Sequence, residues 1–182
     1  MLKKSILGGI LRFRRDSRGV SAVEFALIAP ILIAAYFSVA EIAQAVTANR
    51  KVSLIAATLA NLTAQVATIG TSDMTNILDA STSIAAPFSA TSLKMTVTCI
   101  SIDANKVARV KWSATRGGTA NSGAITIPTA LAVASSTLIL AEASYGFTPV
   151  VGYTISGTVT LTDKMYMSPR ISAPTYGTTA CT

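Results

Sequence analysis

The chain has 182 residues, 51% of them apolar and only 13% charged, with two cysteines and no histidine. Soluble domains carry about a quarter charged residues, so a chain at roughly half that level is neither an unstructured tail nor wholly water-exposed. Without histidine there is no imidazole base and no histidine-bound zinc, and two cysteines alone do not complete a thiolate site, so no catalytic group, metal or cofactor is expected.

The net charge of +7 is concentrated at one end. Residues 1–19 hold Lys3, Lys4, Arg12, Arg14, Arg15 and Arg18 against Asp16 alone, while residues 20–182 carry only +2. A basic cluster abutting an apolar run is retained on the cytoplasmic side during insertion. Nucleic acid is not an expected partner, because Lys106, Arg109 and Lys111 near Trp112 form only a small basic group. From Val20 to Ala40 the only charge is Glu24. A helix of about 20 residues crosses a hydrocarbon core, so this stretch spans the lipid bilayer once. A secretory signal has a shorter apolar region ending at small residues; here Pro30 sits mid-run and helical character continues through Glu41 to Ala45.

Glu24 is costly in that position, because an acid near the bilayer centre costs about 2.5–3.5 kcal/mol on insertion scales. One reading is an acid near the helix start that reaches the headgroups. The run Arg18-Gly19-Val20-Ser21-Ala22-Val23-Glu24-Phe25, behind a basic leader, also resembles a type IV prepilin processing site. With Pro30 it is similar, more narrowly, to the TadE-like pseudopilins of tight-adherence pilus systems. Leu140 to Tyr145, Phe147 to Pro149 and Met165 to Arg170 resemble that family's later strands. The resemblance implies that a prepilin peptidase cuts between Gly19 and Val20. It implies that Glu24 then pairs with the freed amine of Val20 on a neighbouring subunit, with Phe25 and Pro30 flanking the motif. Its implied partners are the peptidase, other pilin subunits and the pilus assembly machinery. The implied location is the bacterial inner membrane, with a cytoplasmic N-terminus and an extracytoplasmic C-terminal body, or a surface pilus after processing.

Beyond the span, Ala45, Ala48, Val52, Ile55, Leu59, Leu62, Val66 and Ile69 recur at intervals of three and four, which predicts one N-terminal helix of about fifty residues. Gly70 to Ser72 end it and start a second helix over 73–86, stopped by Pro87. Leu93, Met95, Val97 and Cys99 share one face of a strand; the apolar side switches at Ile100 and Ile102, which marks a bulge. Asp103 to Lys106 supply a turn, and residues 107–114 return as a strand with Val110 and Trp112 on one side and Arg109 and Lys111 on the other. A flexible loop over 116–123, a short helix over 129–134 after Pro128, and strands over 137–147 and 157–167 complete the chain.

The expected fold class is α+β, a long helix packed on a small antiparallel sheet. The expected division is a cleaved leader (1–19), a transmembrane half-helix (20–40), an extracytoplasmic half-helix (41–69) and an outer body (70–182). Outside the cytoplasm disulfides persist, so Cys99 and Cys181 are expected to join; two unrelated thiols are the alternative. A structural, pilin-like subunit is the leading function. A membrane-anchored adhesin head that never enters a filament is the alternative, with residues 117–123 and Tyr176-Gly177 as its surfaces. Glu142, Asp163 and Lys164 are the only candidates for an enzyme, and they define no nucleophile or oxyanion hole.

Overall fold

The computed structural model describes residues 19–149 and 157–182, so the basic leader before Gly19 lies outside the described residues. Helix α1 (Val20–Ala64) runs 45 residues, roughly 67 Å at 1.5 Å per residue. Its two halves have different surroundings. Up to Ala40 the side chains are exposed or half-exposed. From Glu41 onward one face is buried, through Ala48, Val52, Ile55, Ala56, Leu59, Ala60, Thr63 and Ala64. Those positions recur at three and four, so they form one stripe, and its alanines let the sheet approach the helix axis closely.

The helix stops five residues short of Ile69, the last position of the apolar stripe. Residues Thr68–Ile69 instead form a short strand, β1, paired in parallel with β6 (Thr175–Tyr176). The reason is non-local: a C-terminal strap supplies partners for the carbonyls at the helix end. Arg170 N donates to Ala64 O (2.9 Å), Thr175 N to Ala67 O (3.0 Å) and Gly177 N to Ile69 O (3.0 Å). Helix α2 (Thr71–Ser83) starts and ends about two residues before the span expected for it. Gly70 N donates to Asp73 Oδ2 at 3.0 Å, which closes the first turn with an acid on the positive end of the helix dipole. Lys51 Nζ donates to Ile84 O at 2.9 Å, so α2 folds back along α1.

Four antiparallel strands form the sheet, in the order β3-β2-β4-β5: β2 (Leu93–Ile102), β3 (Ala108–Arg116), β4 (Ser136–Phe147) and β5 (Val159–Met167). Helix α1 lies over β4 and β5. The architecture is therefore α+β in two layers, with the main core between the helix and one sheet face. Leu93, Met95, Val97 and Cys99 of β2 meet Val52, Ile55 and Leu59 of α1 in that core.

The bulge expected at this hairpin is present, and it changes the faces read for β3. Cys99 pairs with Trp112 and Ile100 with Val110, so the bulge lies in β3 and leaves Lys111 without a β2 partner. Directly opposed residues share a face, so Trp112 turns toward the helix while Val110 lies on the far side with Ile100, not beside Trp112. The register shifts between Cys99 and Ile100, where the change of apolar side placed a bulge, while within β2 the pleat runs on through Ile100 and Ile102. They belong to a second, smaller core on the far face, with Ala108, Leu138 and Leu140, covered by Ile125, Ile127, Leu131 and Tyr166. Between Pro128 and Ala132 only one turn of 3-10 helix forms, Thr129–Leu131. The stretch that covers this core is tied to the β3 edge, since Val110 N donates to Gly123 O (2.8 Å) and Ile125 N to Ala108 O (3.1 Å).

Candidate functional site

Gly19 stands at the N-cap of α1 with φ −82° and ψ −14°, and nothing lies within 4 Å of where a Cβ would sit. Space among the described residues therefore does not require glycine there. Val20 opens the helix and is 53% exposed. Glu24 follows one turn later and is exposed, with no ion-pair partner among the described residues. Positions four apart share a helix face, so Val20 and Glu24 stand one above the other.

Around them lies an apolar surface. Phe25, Leu27, Ile31, Tyr36 and Val39 are all exposed, and an 18-residue window of α1 has a mean hydropathy of 2.1. Contiguous apolar surface on this scale is abnormal on a water-soluble monomer and marks a lipid or partner-helix contact. Pro30 sits inside the helix, where its missing N–H leaves the carbonyl of Ala26 without its regular partner.

Glu41 is a buried acid on α1. It is 2% exposed, where the bare half of α1 gives way to the packed half. A signal for it exists: the spacing that runs 45, 48, 52, 55 extends back by four to position 41, placing this acid on the packed stripe.

In the outer body, Cys99 and Cys181 are joined, with Cα atoms 6.0 Å apart. The bond pins the C-terminal strap across the sheet, beside the Thr137 Oγ1 hydrogen bond to Cys181 O (3.2 Å). Trp112 Nε1 donates to Pro174 O at 3.0 Å, and its ring packs against Tyr176 at 5.4 Å. Tyr176 is thus half-buried strap, not a free loop surface.

Glu142 and Lys164 face each other across β4 and β5 with a 2.6 Å ion pair, and Asn121 Nδ2 donates to the other carboxylate oxygen at 2.6 Å. The hydrogen bond to Glu142 raises the Lys164 pKa above 10.5, aided by the nearby negative charge and opposed by burial. Asp163 Oδ1 accepts from Lys164 N (2.8 Å). These three candidates for catalysis are thus occupied in a cross-strand pair and a local backbone contact. They border an open trough of about 350 Å³ between the sheet and residues 118–119, lined mainly by Thr96, Thr119, Ser144 and Thr162.

No curated protein and no solved structure matches the chain. A match does fall on the helix that carries Gly19, Val20 and Glu24, and it runs into the buried stripe that docks the sheet. Residues 19–61 match the family model described as TadE-like protein, so this N-terminal segment is similar to that family.

Proposed function

We propose that the chain is a minor, pilin-like structural subunit of a tight-adherence pilus, cut by a prepilin peptidase between Gly19 and Val20 and then packed by α1 against neighbouring subunits. The observation that carries this reading is the placement of Val20 and Glu24 on one face of an exposed apolar helix, inside the segment that matches the TadE-like family. Cleavage would turn the Val20 nitrogen into an ammonium. An ammonium and a carboxylate, each expensive in an apolar packed environment, become tolerable together. The two groups lie four residues apart, so a neighbouring helix displaced by about 6 Å along the axis brings its own amine level with Glu24. The pair would then set the register of assembly.

The same reading places residues 20–40 across the inner membrane and the cysteine-bonded body outside the cytoplasm, where disulfides persist. It assigns no reaction to this chain. The open trough bordered by Glu142 and Lys164 favours the second reading, an anchored adhesin head, and shortening residues 117–120 while scoring attachment separately from filament number separates the two.

Intact-mass measurement of the membrane-extracted protein is the test. The mature chain should begin at Val20, and Gly19→Leu should abolish cleavage. Glu24→Gln should be cut normally but enter filaments at a small fraction of the wild-type level. Uncleaved protein in cells that possess the peptidase would reduce the reading to a plain single-pass anchor.

A further inference from the structure

The end of the outer body nearest the apolar half of α1 differs in chemistry from the opposite end. Three stretches form it: 86–92, 146–149 and 157–160. They are drawn together by Ser92 Oγ donating to Gly146 O (3.1 Å), by the Thr148–Thr158 hydroxyl contact (2.9 Å), and by Phe88 packing against Tyr145 and Phe147 at 6.2 and 6.3 Å. None of the three stretches contains a charged residue. The opposite end carries Asp73, Asp103, Lys106 and Arg170.

Geometry places this uncharged rim close to the end of the apolar half-helix. The end of β5 lies near the helix terminus, where Arg170 N caps Ala64. Nine residues of β5 lead back from there over about 27 Å, which is about 18 residues of helix, bringing Val159 to roughly the level of Ala45. The burial of Glu41 shows that the body covers α1 one turn lower still. On the uncovered side of the helix at this level, Ile42 and Val46 remain about half exposed. If residues 20–40 fill the hydrocarbon, the rim lies within about 8 Å of its edge, the thickness of one headgroup layer.

We infer that the rim formed by Phe88–Ser92, Gly146–Pro149 and Gly157–Thr160 is a lipid-contacting surface, seated in the headgroup layer of the leaflet on the body's side. This rests on the membrane-spanning reading of α1. Thr91, Ser92, Thr148 and Thr158 are exposed toward that layer with their hydroxyls tied within the rim, and the Phe88, Tyr145 and Phe147 rings behind them anchor it to the main core. An uncharged rim avoids desolvating fixed charge in that layer. The contact holds the body upright on the bilayer, where a bare helical stalk would let it swing.

The test uses the full chain in phosphatidylcholine nanodiscs. Single cysteines at Thr91, Thr158, Lys106 and Phe25 are labelled with an environment-sensitive fluorophore under non-reducing conditions, which leaves the Cys99–Cys181 bond closed. Quenching by lipids spin-labelled near the headgroup is then compared. Both Thr91→Cys and Thr158→Cys should be quenched at least about twofold more than Lys106→Cys, as a headgroup-depth site requires. Quenching at Phe25→Cys with none at Thr91→Cys and Thr158→Cys beyond the Lys106→Cys level overturns the surface and leaves the span standing. Absence of quenching at Phe25→Cys overturns the span and this surface together.

Discussion

Glu24 and Glu41 stand on one helix and meet opposite environments. Glu24 lies on bare apolar surface, and Glu41 is covered by the body of its own chain. Glu24→Gln should therefore leave thermal unfolding of the outer body unchanged, and under the proposed pilin role its effect falls on filament number. A contrasting residue is Leu59, fully buried between helix and sheet. Leu59→Ala removes buried methyl groups from a packed core and should cost about 2–5 kcal/mol in denaturant unfolding. Lys164 carries a pH signature. Its folded pKa is raised, so the pairing with Glu142 stabilises fully below pH 10.5 and is lost as pH rises through the raised folded value. Its side chain is 60% exposed, and solvent screening holds the effect of Lys164→Met to at most about 1 kcal/mol at neutral pH. Unfolding curves of the two proteins should converge in strongly alkaline buffer.

Among the elements, local signals were sufficient where one period ran unbroken. The three-and-four spacing of α1, the alternation of Leu93 to Cys99 and the turn residues Asp103 to Lys106 all describe elements that exist. In the turn, Asp103 Oδ1 accepts from Asn105 N and Val107 N at 2.8 Å, and Lys106 takes a positive φ of 63°. Local signals failed where a distant partner decided. Residues 65–69 continue the helical stripe but are drawn into contact with the C-terminal strap. The bulge at Lys111 is set by pairing with β2, so it leaves no mark in the spacing of β3. Deleting Lys111 removes the unpaired residue and makes Val110 and Trp112 neighbours on opposite faces, so Val110 and Ala108 should keep the far face, seen as an unfolding midpoint and a Trp112 emission close to those of the wild type.

For the whole molecule, the strap and its disulfide tie the far end of the helix to the sheet. Closure joins residues separated by 82 positions, and in the chain-entropy model this contributes about 4–5 kcal/mol. Reduction should lower the midpoint of unfolding accordingly and release Trp112 from its contacts with Pro174 and Tyr176, which tryptophan fluorescence reports. Alkylation with mass analysis before reduction should find no free thiol.

The amino-acid order by itself determined the basic N-terminal stretch, the long apolar helix, the acid placed one turn from its start, and the α+β class. Each of these is a matter of composition or of a period within one stretch, and such patterns act through neighbours in the chain. Only the tertiary structure decided that the strap ends α1 at Ala64, that Val110 and Trp112 lie on opposite faces of the sheet, and that a second small core forms behind it. Those depend on contacts between residues far apart in sequence, whose free energy comes from surfaces that exist only once the chain has closed on itself.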